Sequence, residues 1–250
     1  MEHLHEILNL QVSPNQHYSK VSIVIPVYNE RRTILSVLDV VLKAPVCGLE
    51  KEIILVDDCS TDGTRDLLGE IKNPHVRLVF QKQNGGKGAA LQSGFKHASG
   101  DIIIVQDADL EYDPFEYELL IEPFLKNKAE VVYGSRYLKS GLRQVPRFWH
   151  TAFNKLFTMF SNALTNIYLT DAQTCYKVFS KKVLNKDMLN LQSKRFGFDP
   201  EFTSKIARGG YKIMEVPVSY YPRSSQAGKH MNFKSQLETV WCLIKYNLFQ

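Results

Sequence analysis

The sequence predicts an α/β fold, a single domain on a mostly parallel sheet flanked by helices. Two observations carry that expectation. Through the first half, apolar runs of strand length alternate with segments whose apolar residues recur at helical spacing, the pattern of parallel strands and crossover helices. Those runs also end in polar turns rich in carboxylates, and open parallel sheets bind ligands outside the carboxyl ends of their strands. At 250 residues and 44% hydrophobic, the chain can bury one sizeable core, and no linker divides it.

Taken in order, residues 21–26 read as the first strand, closed by Pro26-Val27-Tyr28-Asn29-Glu30. Ile34, Leu38, Val41 and Leu42 then mark a helix. Residues 53–56 form the second strand, and Asp57-Asp58-Cys59-Ser60-Thr61-Asp62-Gly63 after it brings helix-capping side chains. Residues 76–80 are the third strand, 87–98 a helix of small residues, 101–106 the fourth strand and 130–133 the fifth. The second half is less regular. Phe153, Leu156, Phe157, Phe160, Leu164 and Ile167 share one helical face, and Phe233, Leu237, Val240, Trp241, Ile244 and Leu248 share another; both are read chiefly as core packing. The expected division is an N-terminal extension at 1–20, one domain at 21–231, and a C-terminal amphipathic helix at 232–250 that packs on it or extends it.

The formal charge of +5 is dispersed without a Lys/Arg run. That argues against a nucleic-acid partner and weakly for an anionic substrate or membrane surface. Cys47, Cys59, Cys175 and Cys242 fit neither zinc-ligand spacing nor a disulfide framework, so a reducing cytoplasm is the expected location. Residues 1–20 lack the pattern of a signal peptide, and no run approaches the roughly 20 apolar residues of a membrane span, so membrane contact is expected to be peripheral.

The sharpest motif is Asp107-Ala108-Asp109, directly after the apolar run Ile102-Ile103-Ile104-Val105. In extended backbone, residues two apart project to one side, so both carboxylates, joined by Glu111, would face one small volume. Oxygen-only ligands suit a hard cation, Mg²⁺ or Mn²⁺. Tyr28 and Glu30 offer a flat ring and a carboxylate where strand gives way to helix, fitting a nucleobase, although Asn29 also suits plain helix capping. Asp58 could accept a ribose or imide proton while Asp57 orients the turn; their adjacency leaves the division open. Asn84-Gly85-Gly86-Lys87-Gly88 matches neither a phosphate loop nor a dinucleotide fingerprint, and reads equally as a structural turn or as amides with Lys87 facing an anion. Gly134-Ser135-Arg136 and the loop from Arg223 to Lys229 carry groups suited to phosphate, or form a solvated basic surface. Asp199-Pro200-Glu201 opens a helix, where capping is the plain role.

Together these residues resemble family 2 glycosyltransferases of the Rossmann-like GT-A fold, most closely the dolichyl- and polyprenyl-phosphate mannosyl/glucosyltransferase branch. The resemblance spans about residues 21–229 and includes Val56-Asp57-Asp58, Gly86-Lys87-Gly88 and residues 171–179. It implies an inverting transfer of mannose or glucose from GDP-mannose or UDP-glucose to a polyprenyl or dolichyl phosphate. Pro26, Val27, Tyr28, Glu30, Asp57, Asp58, Lys87, Asp107 and Ala108 would hold the nucleotide. Asp107, Asp109 and Glu111 would hold Mg²⁺ or Mn²⁺, with Asp109 and Arg136 catalytic. Ser135, Arg136, Arg223 and Lys229 would bind the acceptor phosphate. Many relatives carry Gln in place of Glu111, and several carry transmembrane helices after the catalytic domain. Recruitment to the cytoplasmic face of a membrane would then fall to the 153–168 and 233–248 segments, chiefly the latter, or to a separate anchor protein. A hydroxyl acceptor would need a general base, for which Asp199 or Glu201 is the candidate. A non-catalytic nucleotide-sugar-binding protein is the other alternative.

Overall fold

The computed structural model describes residues 17–138, 144–184, 186–195, 197–222 and 233–249. Its first half alternates β1 (Lys20–Val27), α1 (Ile34–Lys43), β2 (Glu50–Asp57), α2 (Thr64–Gly69), β3 (Val76–Phe80), α3 (Lys87–His97) and β4 (Ile102–Val105). These are the expected elements, with ends moved by at most three residues. All of β4 and nearly all of β1 are buried, as befits parallel strands covered on both faces. Helix α1 buries Ile34, Val37, Leu38 and Val41, one stripe at helical spacing. The Lys51 ammonium donates to the carbonyls of Val41 and Leu42 at 2.8 and 3.0 Å, capping that helix.

A 3₁₀ turn (Pro114–Glu116) leads into α4 (Tyr117–Leu125), which the sequence reading did not assign. Asp113 caps the turn by accepting the Phe115 N–H at 2.9 Å. Pro123 lies inside α4, and a proline there normally argues against helix because it cannot donate to the ladder; the helix ends two residues later. The remaining elements are β5 (Val131–Ser135), α5 (Phe148–Thr165), β6 (Lys177–Ser180), α6 (Lys186–Leu189), α7 (Phe198–Arg208), β7 (Ile213–Pro217) and α8 (Phe233–Leu248).

Among the described residues the strands form one sheet in the order β3-β2-β1-β4-β6-β5-β7. Every pairing is parallel except those of β6, which runs antiparallel to both β4 and β5. The order turns back between β1 and β4, which pair from Val21↔Ile102 to Val24↔Val105. Such a switch point opens a crevice at the carboxyl ends of the strands, and the predicted turns converge there.

The two amphipathic helices meet the expected core packing only in part: Phe157 is buried and Leu164, Ile167 and Val240 pack against the core. Helix α5 turns Asn154, Phe157, Thr158 and Ser161 inward, while Leu156, Met159 and Phe160 are exposed and Trp149 is 81% exposed. Its polar residues tie down the next segment: Thr158 Oγ accepts the Ala172 N–H at 3.2 Å, and Asn162 exchanges hydrogen bonds with Leu169 at 2.8 and 3.0 Å. On α8, Thr239, Leu243 and Tyr246 are buried, whereas Leu237, Trp241 and Leu248 face outward.

Candidate functional site

A cavity of about 420 Å³ opens at the switch point. The end of β1 supplies Pro26, Val27, Tyr28 and Glu30; the ends of β2 and β4 supply Asp58 and residues 107–109; the start of α3 supplies Gly86, Lys87 and Ala90. Backbone and hydroxyl contacts lock these turns together. Asn29, at φ 55°, accepts the Thr61 N–H at 2.8 Å and donates its own to Ser60 Oγ at 3.0 Å. Thr33 Oγ lies 2.9 Å from both Glu30 Oε2 and the Ala108 carbonyl, so the β1 and β4 turns share one hydroxyl.

The adjacent aspartates divide their work. Asp57 is fully buried, lies outside the cavity lining and accepts the Ser60 N–H at 3.3 Å, with Arg65 Nε 3.6 Å away. Its contacts are those of a residue that shapes the turn, one of the two roles the sequence left open for it. Asp58 lines the cavity, and its carboxylate accepts the N–H groups of Gly85 at 2.8 Å and Gly86 at 2.7 Å and the Asn84 amide at 3.0 Å. A carboxylate has about four acceptor positions, so Asp58 fixes residues 84–86 and keeps one position in hand.

The glycine turn is likewise structural at its amides. Lys87 Nζ donates to Asp107 Oδ1 at 2.6 Å. Burial alone would lower the lysine, yet Asp107, Cys175 and Asp199 outweigh it and raise its pKa well above the ordinary value. Burial would raise Asp107, and Lys87 outweighs that in turn, holding the carboxyl low. Positive charge therefore sits at one of the two cavity aspartates. Asp109 also lines the cavity and accepts the Glu111 N–H at 3.2 Å.

Comparison with known proteins identifies the fold and lineage. The model of glycosyl transferase family 2 matches residues 22–187. The chain belongs to glycosyl transferase family 2. It is 32% identical over 84% of its length to a dolichol-phosphate mannosyltransferase of Pyrococcus furiosus, spanning 59% of that protein. It is 30% identical over 92% of its length to a dolichyl-phosphate beta-glucosyltransferase of Trichomonas vaginalis, spanning 73% of it. The fold is GT-A: glucosyl-3-phosphoglycerate synthase from Mycobacterium tuberculosis, solved with Mn²⁺, uridine diphosphate and phosphoglyceric acid, superposes with a TM-score of 0.69 at 20% identity, covering 93% of this chain and 80% of that one.

Several expectations drawn from family 2 meet a different geometry. Glu111 lies outside the cavity lining, and its carboxylate accepts the Tyr220 hydroxyl at 3.0 Å. Among the described residues no three His, Cys, Asp or Glu side chains stand together as a preformed ion site. Arg136 grips Asp171 through Nε at 2.7 Å and Nη2 at 2.8 Å, with its guanidinium 5.1 Å from the centre of the Tyr220 ring. Burial would lower this arginine, but Tyr112 and Asp171 raise its pKa well above the ordinary value. Ser135 is fully buried; its hydroxyl pairs with Thr170 at 2.6 Å and accepts the Tyr137 N–H at 3.1 Å. Neither side chain is presented as an open phosphate contact. Arg223 and Lys229 lie outside the described residues.

Asp199 accepts the ammonium of fully buried Lys177. Glu201 is buried and accepts the N–H groups of Gln192 at 2.8 Å and Ser193 at 2.7 Å and Lys205 Nζ at 3.0 Å. Sequence reasoning passed over Lys177, Asp171 as the partner of Arg136, and Arg195, which lines the cavity from the segment before α7. A lysine inside an apolar run was the available signal for the first. The pKa of His150, at the start of α5, is lowered by burial, with Arg136 lowering it further against Glu111 and Asp171; the helix meets the Arg136 segment through Asn154, whose amide donates to the Tyr137 hydroxyl at 3.3 Å.

Proposed function

We propose that the protein is an inverting hexosyltransferase that moves mannose or glucose from a nucleoside-diphosphate sugar to a polyprenyl or dolichyl phosphate. The observation that carries this reading is the switch-point cavity, which gathers an aromatic ring, Glu30 and Asp58 together with Asp107 and Asp109. A flat ring with fixed polar partners suits a nucleoside. Family membership and the names of the two relatives support the donor and the lipid acceptor.

Asp107 and Asp109 fit a divalent cation: both are hard oxygen donors at the cavity, and the Lys87 ammonium on Asp107 marks where positive charge is held. The uridine diphosphate and Mn²⁺ in the structural neighbour point the same way. Mg²⁺ or Mn²⁺ bound there would neutralise charge growing on the departing diphosphate. The chain's residues supply the rest. Tyr28, Glu30 and Asp58 orient the nucleoside, and Lys87 keeps Asp107 ionised. An acceptor phosphate oxygen attacks the anomeric carbon as its bond to the diphosphate oxygen breaks, the electron pair leaving with the nucleoside diphosphate.

A phosphate monoester arrives as an anion and needs positioning rather than a general base. That favours it over a hydroxyl acceptor, because both candidate bases are engaged, Asp199 by Lys177 and Glu201 by two backbone N–H groups and Lys205. Among the described residues no helix is long and apolar enough to cross a membrane. We place the protein peripherally at the cytoplasmic face, with the outward face of α5 toward the lipid, residues 21–231 as the catalytic domain and 232–250 as a helix packed on it.

The test is incubation of purified protein with radiolabelled GDP-mannose or UDP-glucose and polyprenyl phosphate, followed by extraction into organic solvent. Label in the lipid phase, dependent on divalent cation, is the expected result. Label transferred to sugar alcohols, with none in lipid, would replace this reading with the hydroxyl-acceptor one.

A further inference from the structure

The cavity's charges are unbalanced for the ligand proposed. Four carboxylates line it, from Glu30, Asp58, Asp107 and Asp109, against two cationic side chains, Lys87 and Arg195. Lys87 sits 2.6 Å from Asp107, so much of its charge is matched within the protein. A nucleoside diphosphate adds more negative charge. We infer that Arg195 is the side chain that meets the donor's diphosphate and sets the preference for diphosphate over monophosphate nucleotides, an assignment that rests on the nucleotide-sugar reading above.

The placement of Arg195 is built in from two sides. Gly86, at φ +84°, admits it: a Cβ there would lie 2.7 Å from Arg195 Cγ and 2.7 Å from the Lys194 carbonyl, and one at Gly88 would lie 2.2 Å from the Ser193 carbonyl. Only glycines let the backbone before α7 rest on the start of α3. Lys194 O accepts the Ala89 N–H at 3.1 Å. From behind, buried Glu201 holds the N–H groups of Gln192 and Ser193. The backbone leading to Arg195 is thus held against the turn that carries Lys87, while its side chain is exposed at the cavity. A planar guanidinium can bond two phosphate oxygens at once, which a lysine cannot reproduce. Glu201 acts through this segment and is a positioning residue.

The experiment is calorimetric titration of the full chain, in Mn²⁺, with UDP, UMP, GDP and GMP, comparing wild type with Arg195→Ala and Arg195→Lys. Arg195→Ala should weaken the preferred diphosphate about ten- to a hundredfold and its monophosphate less than about threefold, with Arg195→Lys between. The monophosphate arm separates a lost contact from a misfolded protein. Unchanged diphosphate affinity, or equal losses for both nucleotides, overturns the role of Arg195 alone. Wild type that binds none of the four overturns the nucleotide-sugar reading and this assignment with it.

Discussion

The two edges of the sheet both carry carboxylates beside a hollow, yet they are built differently. At the amino edge, Glu52 accepts the Ser22 hydroxyl, the Ser99 N–H at 2.7 Å and hydroxyl at 2.8 Å and the Gly100 N–H at 3.2 Å, with Lys20 Nζ at 3.2 Å. Asp101 beside it accepts the Ser19 N–H and hydroxyl, each at 2.8 Å. A depression of about 330 Å³ lies there, close in size to the cavity of about 420 Å³ at the carboxyl edge. Size and the mere presence of carboxylates therefore do not mark the site. The amino-edge carboxylates are enclosed by donors from their own chain, whereas Asp107 and Asp109 face open volume beside an aromatic ring. Asp58 combines both, lining the cavity while holding three donors from residues 84–86.

If that contrast is functional, substitutions at the two edges should separate activity from stability. The largest effect is expected for Asp109→Asn, which keeps shape and removes a negative charge: transfer should fall about a hundredfold or more, while the melting temperature moves by only a few degrees. A variant that retains activity in metal-free buffer would erase the distinction at its source. Gly86→Ala comes next, because its Cβ meets Arg195 Cγ and the Lys194 carbonyl at 2.7 Å each in a backbone region unfavourable to alanine. Donor affinity should drop about tenfold and stability by about 1–3 kcal/mol, read by calorimetry and denaturant unfolding; loss of stability alone would make the turn an amino-edge type of structure.

Glu52→Gln tests the closed edge. Burial would raise this carboxyl, but the hydrogen bonds from Ser22 and Ser99 and the Lys20 ammonium outweigh it and bring the pKa down to about 2 from an ordinary 4.5. A depressed folded-state pKa contributes stability above the unfolded value, and that contribution is lost as pH falls through the folded one. The substitution should cost about 1–3 kcal/mol near neutral pH. The gap from wild type should close as pH falls from about 4.5 toward 2. Transfer by the folded variant should match wild type; a drop in kcat without unfolding would show that the two edges are coupled.

The same contrast explains what was legible beforehand. Strands β1, β2, β4 and β5 could be read because a strand covered on both faces needs a nearly unbroken apolar run, and the first three end in turns that serve the cavity. Strand β6 could not, since Lys177 in its short run signals surface until Asp199 and the Thr174 carbonyl are seen to receive its ammonium. Pro123 hid α4. Tyr28, Asp58 and Asp107 were readable from local position alone. Arg195 was not, because the glycines that admit it lie far away in sequence, and Arg136 looked free because its partner Asp171 comes from a distant turn. Periodicity located the faces of α5 and α8 but could not say which face turns inward.

That rotation of the apolar faces sets the last and smallest effect. The carboxyl edge is bordered by α5, whose first turn exposes Phe148 and Trp149 and whose length carries no acid and the single lysine Lys155. An aromatic, weakly basic helix face suits the headgroup boundary of an anionic bilayer, and the helix meets the Arg136 segment through Asn154. Trp241 on α8 is 59% exposed, but Glu238 lies one turn away on the same helix. Liposomes containing anionic lipid should therefore retain the protein weakly, with Trp149→Ser reducing retention several-fold and Trp241→Ser by less. Neither residue lies in the core, so both variants should fold as wild type does. Co-sedimentation over a salt series checks the order: a larger loss from Trp241→Ser would move the contact to α8, and no wild-type retention at any salt would leave recruitment to a partner protein.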